Sequence, residues 1–227
     1  MTGDPVDALR RSSTRADYPS MARLARALYA MGLGPRDVLR QSYGVEFPAE
    51  FWVLVPERLA EQHLLATFTN QPWELGVSPS QGGTDLEPFE PTEDVERELF
   101  ARDPDLLPLM RLLAPRNTRV DTVVCYRITE LQAGSTAVFG IKMITNWDPV
   151  LDPEPDPDPE IARCGDSLLE VLHAHHVEEV HHLEESLADP ANWGFGAVSE
   201  RTVNEVRSLV ERIEAMQREV AGRQHTT

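Results

Sequence analysis

Thirteen residues in the second half of the chain limit its folding more than any other stretch. From Asp148 to Glu160 the sequence reads Asp-Pro-Val-Leu-Asp-Pro-Glu-Pro-Asp-Pro-Asp-Pro-Glu, six acids and no base. Proline removes the backbone donors that a helix or an inner strand needs, and the carboxylates between the prolines repel one another. The segment is therefore expected to run extended over the surface as a linker or long loop. It separates a longer first part, where helical and strand patterns mix, from a second part that reads as helix alone.

In the first part, Ala22, Leu24, Ala25, Leu28, Tyr29 and Met31 recur near a 3.6-residue period and predict a helix over about 20–31. Gly32-Leu33-Gly34-Pro35 stops it, and Asp37 to Tyr43 reads as a second short helix closed by Gly44. Pro48 suits the first turn of a third helix with Phe51, Trp52, Leu54 and Val55 on its apolar face, which Pro56 is expected to break. Glu57 to Phe68 reads as helical or mixed, and Leu106 to Leu113 as helical or core-lining. Val120 to Ile128 and Thr136 to Thr145 are rich in β-branched residues and predict an antiparallel pair joined through Gly134.

After the acidic segment, Asp166 or Ser167 can cap a helix with Leu169, Leu172, His176, Val180, Leu183 and Leu187 along one stripe. Ser199 or Thr202 can cap another over about 200–222, with Thr202 and Glu205 spaced as a capping box. The fold class expected is α+β, a mainly antiparallel sheet packed with N-terminal and C-terminal helices. The organisation expected is one domain over 20–187 with an acidic insertion at 148–160, and a helical extension over 188–222 packing on it.

Charge narrows the function. The 38 acids against 21 bases leave a net charge of −17. Such a field repels nucleic acid and anionic lipid and favours a basic protein partner. No stretch approaches the roughly 18 to 20 apolar residues of a membrane span, and Met1 to Pro19 lacks the apolar core of a signal peptide, so a cytoplasmic protein is expected. Cys125 and Cys164 are two reduced thiols in this reading. The partner-binding residues expected are Asp85, Glu87, Glu90, Glu93 and Asp94 in one acidic stretch and Asp152, Glu154, Asp156 and Asp158 in the other.

The helix over 173–185 carries the second reading. His173, His175, His176, His181 and His182 alternate there with Glu178, Glu179, Glu184 and Glu185. Residues three or four apart share a helix face, so His175, Glu178, Glu179 and His182 are the candidate metal ligands of a metal-binding protein or metal-dependent enzyme. The bland account of the same residues is a solvated face with opposite-charge pairs. The chain has no glycine-rich phosphate loop, no Gly-x-Ser-x-Gly, no His-Glu-x-x-His and no Cys-x-x-Cys. No catalytic residue or cofactor is assigned on the first reading, which takes the chain as a monomer or weak homodimer and not an enzyme.

Tyr43-Gly44-Val45-Glu46-Phe47-Pro48-Ala49-Glu50-Phe51-Trp52, following an N-terminal helix, resembles the helix-opening signature of the SUKH superfamily, the Smi1/Knr4-like domains. Gly165-Asp166-Ser167-Leu168-Leu169-Glu170-Val171-Leu172 is similar to that family's closing helix, and the match spans about 20–185. The resemblance implies a sheet-and-helix domain that often serves as a bacterial immunity protein neutralising a cognate toxin, many such toxins being basic nucleases. Family members also act as scaffolds or adaptors.

Overall fold

The computed structural model describes residues 5–59, 65–88, 90–113, 120–144, 159–189 and 198–224. The expected acidic linker lies outside the described residues apart from Pro159 and Glu160.

Four helices lead the chain: α1 (Pro5–Ser12), α2 (Tyr18–Ala30), α3 (Pro35–Tyr43) and α4 (Ala49–Leu59). Their ends have local causes. Pro19 and Pro35 sit in the first turns of α2 and α3, where the missing N–H has no helical partner to lose. Gly44 closes α3 at φ 73°, donating its N–H to the Arg40 carbonyl at 2.8 Å in the left-handed geometry that a Cβ would strain. The break expected at Pro56 is corrected, because α4 runs through it to Leu59. Burial of Phe51, Val53 and Leu54 holds the helix together against the one lost hydrogen bond. The helical or mixed expectation for 57–68 resolves into this helix end and a strand beginning at Ala66.

The strands are β1 (Ala66–Phe68), β2 (Leu106–Leu112), β3 (Val120–Arg127), β4 (Val138–Ile144) and β5 (Ile161–Gly165). They form one sheet in chain order with every neighbour antiparallel. With helices at both ends of the chain, the class is α+β as the patterns predict. The expected β3–β4 pair runs from Val120 opposite Ile144 to Cys125 opposite Phe139, and a short helix, α6 (Ile128–Gln132), joins the two strands. β2 settles the alternatives left open for 106–113. Its Pro108 sits where the register shifts between Pro108 and Met110, a bulge at which an inner strand tolerates a residue with no donor. β5 has no alternating pattern, and its middle three residues are exposed.

The two faces of the sheet are both used. Leu107, Val124, Tyr126 and Val138 face a helical layer of α2, α4, α7 (Leu168–Ala188) and α8 (Glu200–Gln224), which forms the principal core. Within it Trp73 stacks on Phe51 with ring centroids 4.4 Å apart and meets Phe68 edge-on at 4.9 Å. Leu106, Val123, Cys125 and Ile141 face the other way, toward Val95 and Leu99 of α5 (Glu90–Arg102). Among the described residues no helix is long and apolar enough to cross a membrane.

The C-terminal helices pack along each other. Leu183, Val203 and Val206 make a satellite cluster, while Ile213 and Met216 of α8 join the principal core. Ser167 caps α7 by accepting the Glu170 N–H at 3.1 Å. Ser199 does the same for α8, accepting the Thr202 N–H at 3.2 Å. The capping box expected at Thr202 is corrected: Thr202 lies inside the helix, and Glu205 pairs with Arg201 at 2.8 Å instead of reaching back to the helix start. Leu187, expected inward, is exposed near the end of α7.

Candidate functional site

The net charge of the chain resides in three segments. Residues 85–98 carry seven acids and one base, 148–160 six acids and no base, and α7 five acids and no base; the other acids and bases cancel. α8 illustrates the cancellation, with five glutamates and five arginines, several of them paired four residues apart.

In the first segment the expected binding residues divide. Asp85 and Glu87 are exposed in the loop before α5, where the Asp85 carboxylate accepts the Leu86 N–H at 2.7 Å. On α5 Asp94 is exposed and Glu93 half-buried, and both are paired with Arg97. Glu98 pairs with Arg102 at 3.7 Å. The Glu90 side chain and Asp152, Glu154, Asp156 and Asp158 lie outside the described residues. Glu96, in the same acidic stretch but not among the expected binding residues, turns inward and is 2% exposed.

Glu96 is held by a loop. Its Oε1 accepts the Gln71 N–H at 2.8 Å, and Asn70 donates from backbone and side chain. Asn70 also donates to Thr92 Oγ1 at 2.9 Å, Tyr43 donates to Gln71 Oε1 at 3.0 Å, and Gln71 Nε2 donates to the Arg15 carbonyl at 2.8 Å. Burial pushes the Glu96 carboxyl up to about 7, against the opposing pull of the Gln71 and Asn70 donors. Burial also raises the Tyr43 phenol well above its ordinary value, with the Glu96 charge adding to the effect. Thr69 extends the network, with its hydroxyl near the carbonyls of Gln71, Pro108 and Leu109.

A second buried carboxylate, Glu50, lies in the first turn of α4. Its Oε1 accepts the Tyr126 hydroxyl at 2.8 Å and the Leu168 N–H at 3.0 Å, and its Oε2 accepts the Leu169 N–H at 3.3 Å. The first turn of α7 is thus capped by a side chain from α4 as well as by Ser167, and a helix N-terminus favours a negative group at that place. The contact joins the start of α4 to the start of α7.

Among the described residues the histidine helix does not gather a metal site. His182 Nε2 lies 3.7 Å from Glu178 Oε1, which is one expected pair. His175 is half-buried, hydrogen-bonds the Leu65 backbone, and is driven below its ordinary pKa chiefly by burial. His176 is buried, its Nδ1 2.7 Å from the Leu172 carbonyl. His181 and His173 pair with Glu185 and Glu214 at 3.2 and 3.5 Å. Among the described residues no three histidines, cysteines, aspartates or glutamates converge as metal ligands.

Neither Glu50 nor Glu96 stood out in the sequence. The inward stripe Thr92, Glu96, Leu99 and Phe100 was the available signal for Glu96, and a single acid opening the apolar run Phe51 to Val55 was the signal for Glu50. Compared with known proteins, the chain matches no family model, no curated protein and no solved structure.

Proposed function

We propose that the chain is a protein-binding module for a basic partner, acting as the Smi1/Knr4-like resemblance implies, with a nuclease-type toxin as the partner it would neutralise. The observation that supports it is the partition of charge. A protein acidic only for solubility spreads its excess over the surface, whereas here three segments hold all of it and the remainder is neutral. Concentrated charge of one sign steers a basic partner and sets its orientation. Asp85, Glu87 and Asp94 stand exposed for such a contact, and Glu93 lies beside them.

Capture from a host lysate on the full chain, eluted with a salt gradient, tests the reading. A basic protein should be retained at about 0.1 M salt and released toward about 1 M, as the Debye length contracts from about 10 to about 3 Å. Asp85→Asn, Glu87→Gln, Glu93→Gln and Asp94→Asn together should shift elution to lower salt. Retention of the same protein unchanged by salt and by these substitutions would remove the acidic surface from the account.

A further inference from the structure

A pocket of about 260 Å³ opens where the start of α4, the turn before β4, the first turn of α7 and the last two turns of α8 meet. Glu50, Thr136, Ser167, Gln217, Val220 and Ala221 are in its wall. Its volume lies below the about 300–1,000 Å³ of pockets that enclose a cofactor or drug-sized ligand, and suits one long side chain.

The polar groups of the wall select the charge of the occupant. An anion would need the N–H groups of the α7 N-terminus, but these are spent: Leu168 and Leu169 donate to Glu50, and Glu170 donates to Ser167 Oγ. Thr136 Oγ1 donates to the Asp166 carbonyl at 2.8 Å. Gln217 Nε2 donates to the Leu169 carbonyl at 3.3 Å, which leaves its Oε1 to accept. Glu50 Oε2 takes only the long Leu169 contact among the described residues, so the carboxylate retains acceptor capacity. Among the described residues Glu50 is the sole charged residue of the wall, and it is 4% exposed. The C-terminal end of α8, with its partial negative charge, adds to the same sign. Val220 and Ala221 offer apolar surface to an aliphatic stem.

We propose that this pocket receives a single arginine or lysine side chain from a basic protein partner, its stem against α8 and its cationic head toward Glu50 and Gln217. The proposal rests on the reading that the partner is basic and adds where one of its side chains is seated.

The test is an ¹⁵N-resolved titration of the full chain with N-acetyl-arginine amide and N-acetyl-lysine amide at low salt. Saturable shifts are expected at the amides of Ser167, Leu169, Gln217 and Ala221. The neutral urea analogue, N-acetyl-citrulline amide, should bind roughly ten-fold more weakly, because it lacks the charge-assisted hydrogen bonds. Ala221→Trp, at an exposed position on α8, should fill the mouth and abolish the shifts. Gln217→Lys supplies a cation within the chain and should do the same by occupying the site, which keeps the test decisive if the tryptophan disturbs folding. No saturable shift with either cationic amide, equal binding of the citrulline amide, or binding undiminished in both variants would overturn the inference. Capture of a basic partner by a protein that ignores both amides would sink the pocket and leave the acidic-surface reading standing; amide binding without any captured partner would do the reverse.

Discussion

Glu50 and Glu96 are buried to nearly the same degree, at 4% and 2% exposure, yet they are stabilised by different parts of the fold. Glu50 faces the rigid end of a 21-residue helix and a tyrosine anchored in the middle of the sheet. Its donors come from two separate regular elements, β3 and α7. Glu96 faces the irregular loop over 69–73, from which Gln71 and Asn70 donate to it. A buried charge whose donors belong to two regular elements serves as a bracket between them, and one whose donors lie in a loop ties its titration to local structure.

Breaking the bracket should have the largest effect. Glu50→Leu removes the acceptor for the Tyr126 hydroxyl and two α7 N–H groups, leaving buried donors unmet, and is expected to cost about 3–5 kcal/mol in urea unfolding. Glu50→Gln retains one acceptor oxygen and should cost clearly less. A Glu50→Leu protein as stable as the parent would show that the bracket contributes nothing.

The loop-held carboxylate should be seen next, through pH. Its folded-state value of about 7 lies above the ordinary 4.5, so between those values the folded protein holds a proton that the unfolded chain has released. The stability from this site is therefore full below about pH 4.5 and declines as pH rises to about 7, by at most about 3 kcal/mol. Unfolding midpoints of the parent and of Glu96→Gln from about pH 4 to about pH 8 measure it, a range that brackets the interval over which the proton is lost. The parent should lose stability relative to the variant over that interval; parallel curves would place Glu96 with the ordinary carboxylates.

Tyr126→Phe removes one of the three donors to Glu50 and should cost about 1–1.5 kcal/mol, with the α7 contacts kept. Smallest is Arg97→Ala on the exposed side of α5, where its pairs with Glu93 and Asp94 are solvated and should contribute less than about 0.5 kcal/mol. A larger loss there would mean that the acidic stretch is structurally organised by Arg97 and is not simply presented to solvent.

The same contrast explains what could be read in advance. α2, α3, the start of α4, β3, β4, α7 and α8 announce themselves by period and by Pro, Gly and Ser at their ends, all local signals. β2 was ambiguous because a short apolar run with Pro108 has no period to separate strand from helix, and its register shift is a property of pairing. β5 lacks alternation because its central residues are exposed. Glu96 was indistinguishable from Glu93, Asp94 and Glu98 by composition, and only its place on the inward stripe separates it. Glu50 meets partners 76 and 118 residues further on, so its role depends on the finished fold.

That span also bears on the order in which the chain assembles during synthesis. α1 to α4 emerge first and the strands follow in the order they take in the sheet, so most of the architecture can form as it is made. Until Leu168 and Leu169 have left the ribosome, the carboxylate of α4 lacks the α7 N–H donors to which it bonds in the finished protein. The last helices thus act as a latch on the first ones, and a ribosome paused within residues 148–160 would hold a sheet that still lacks β5 beside a core still open to water.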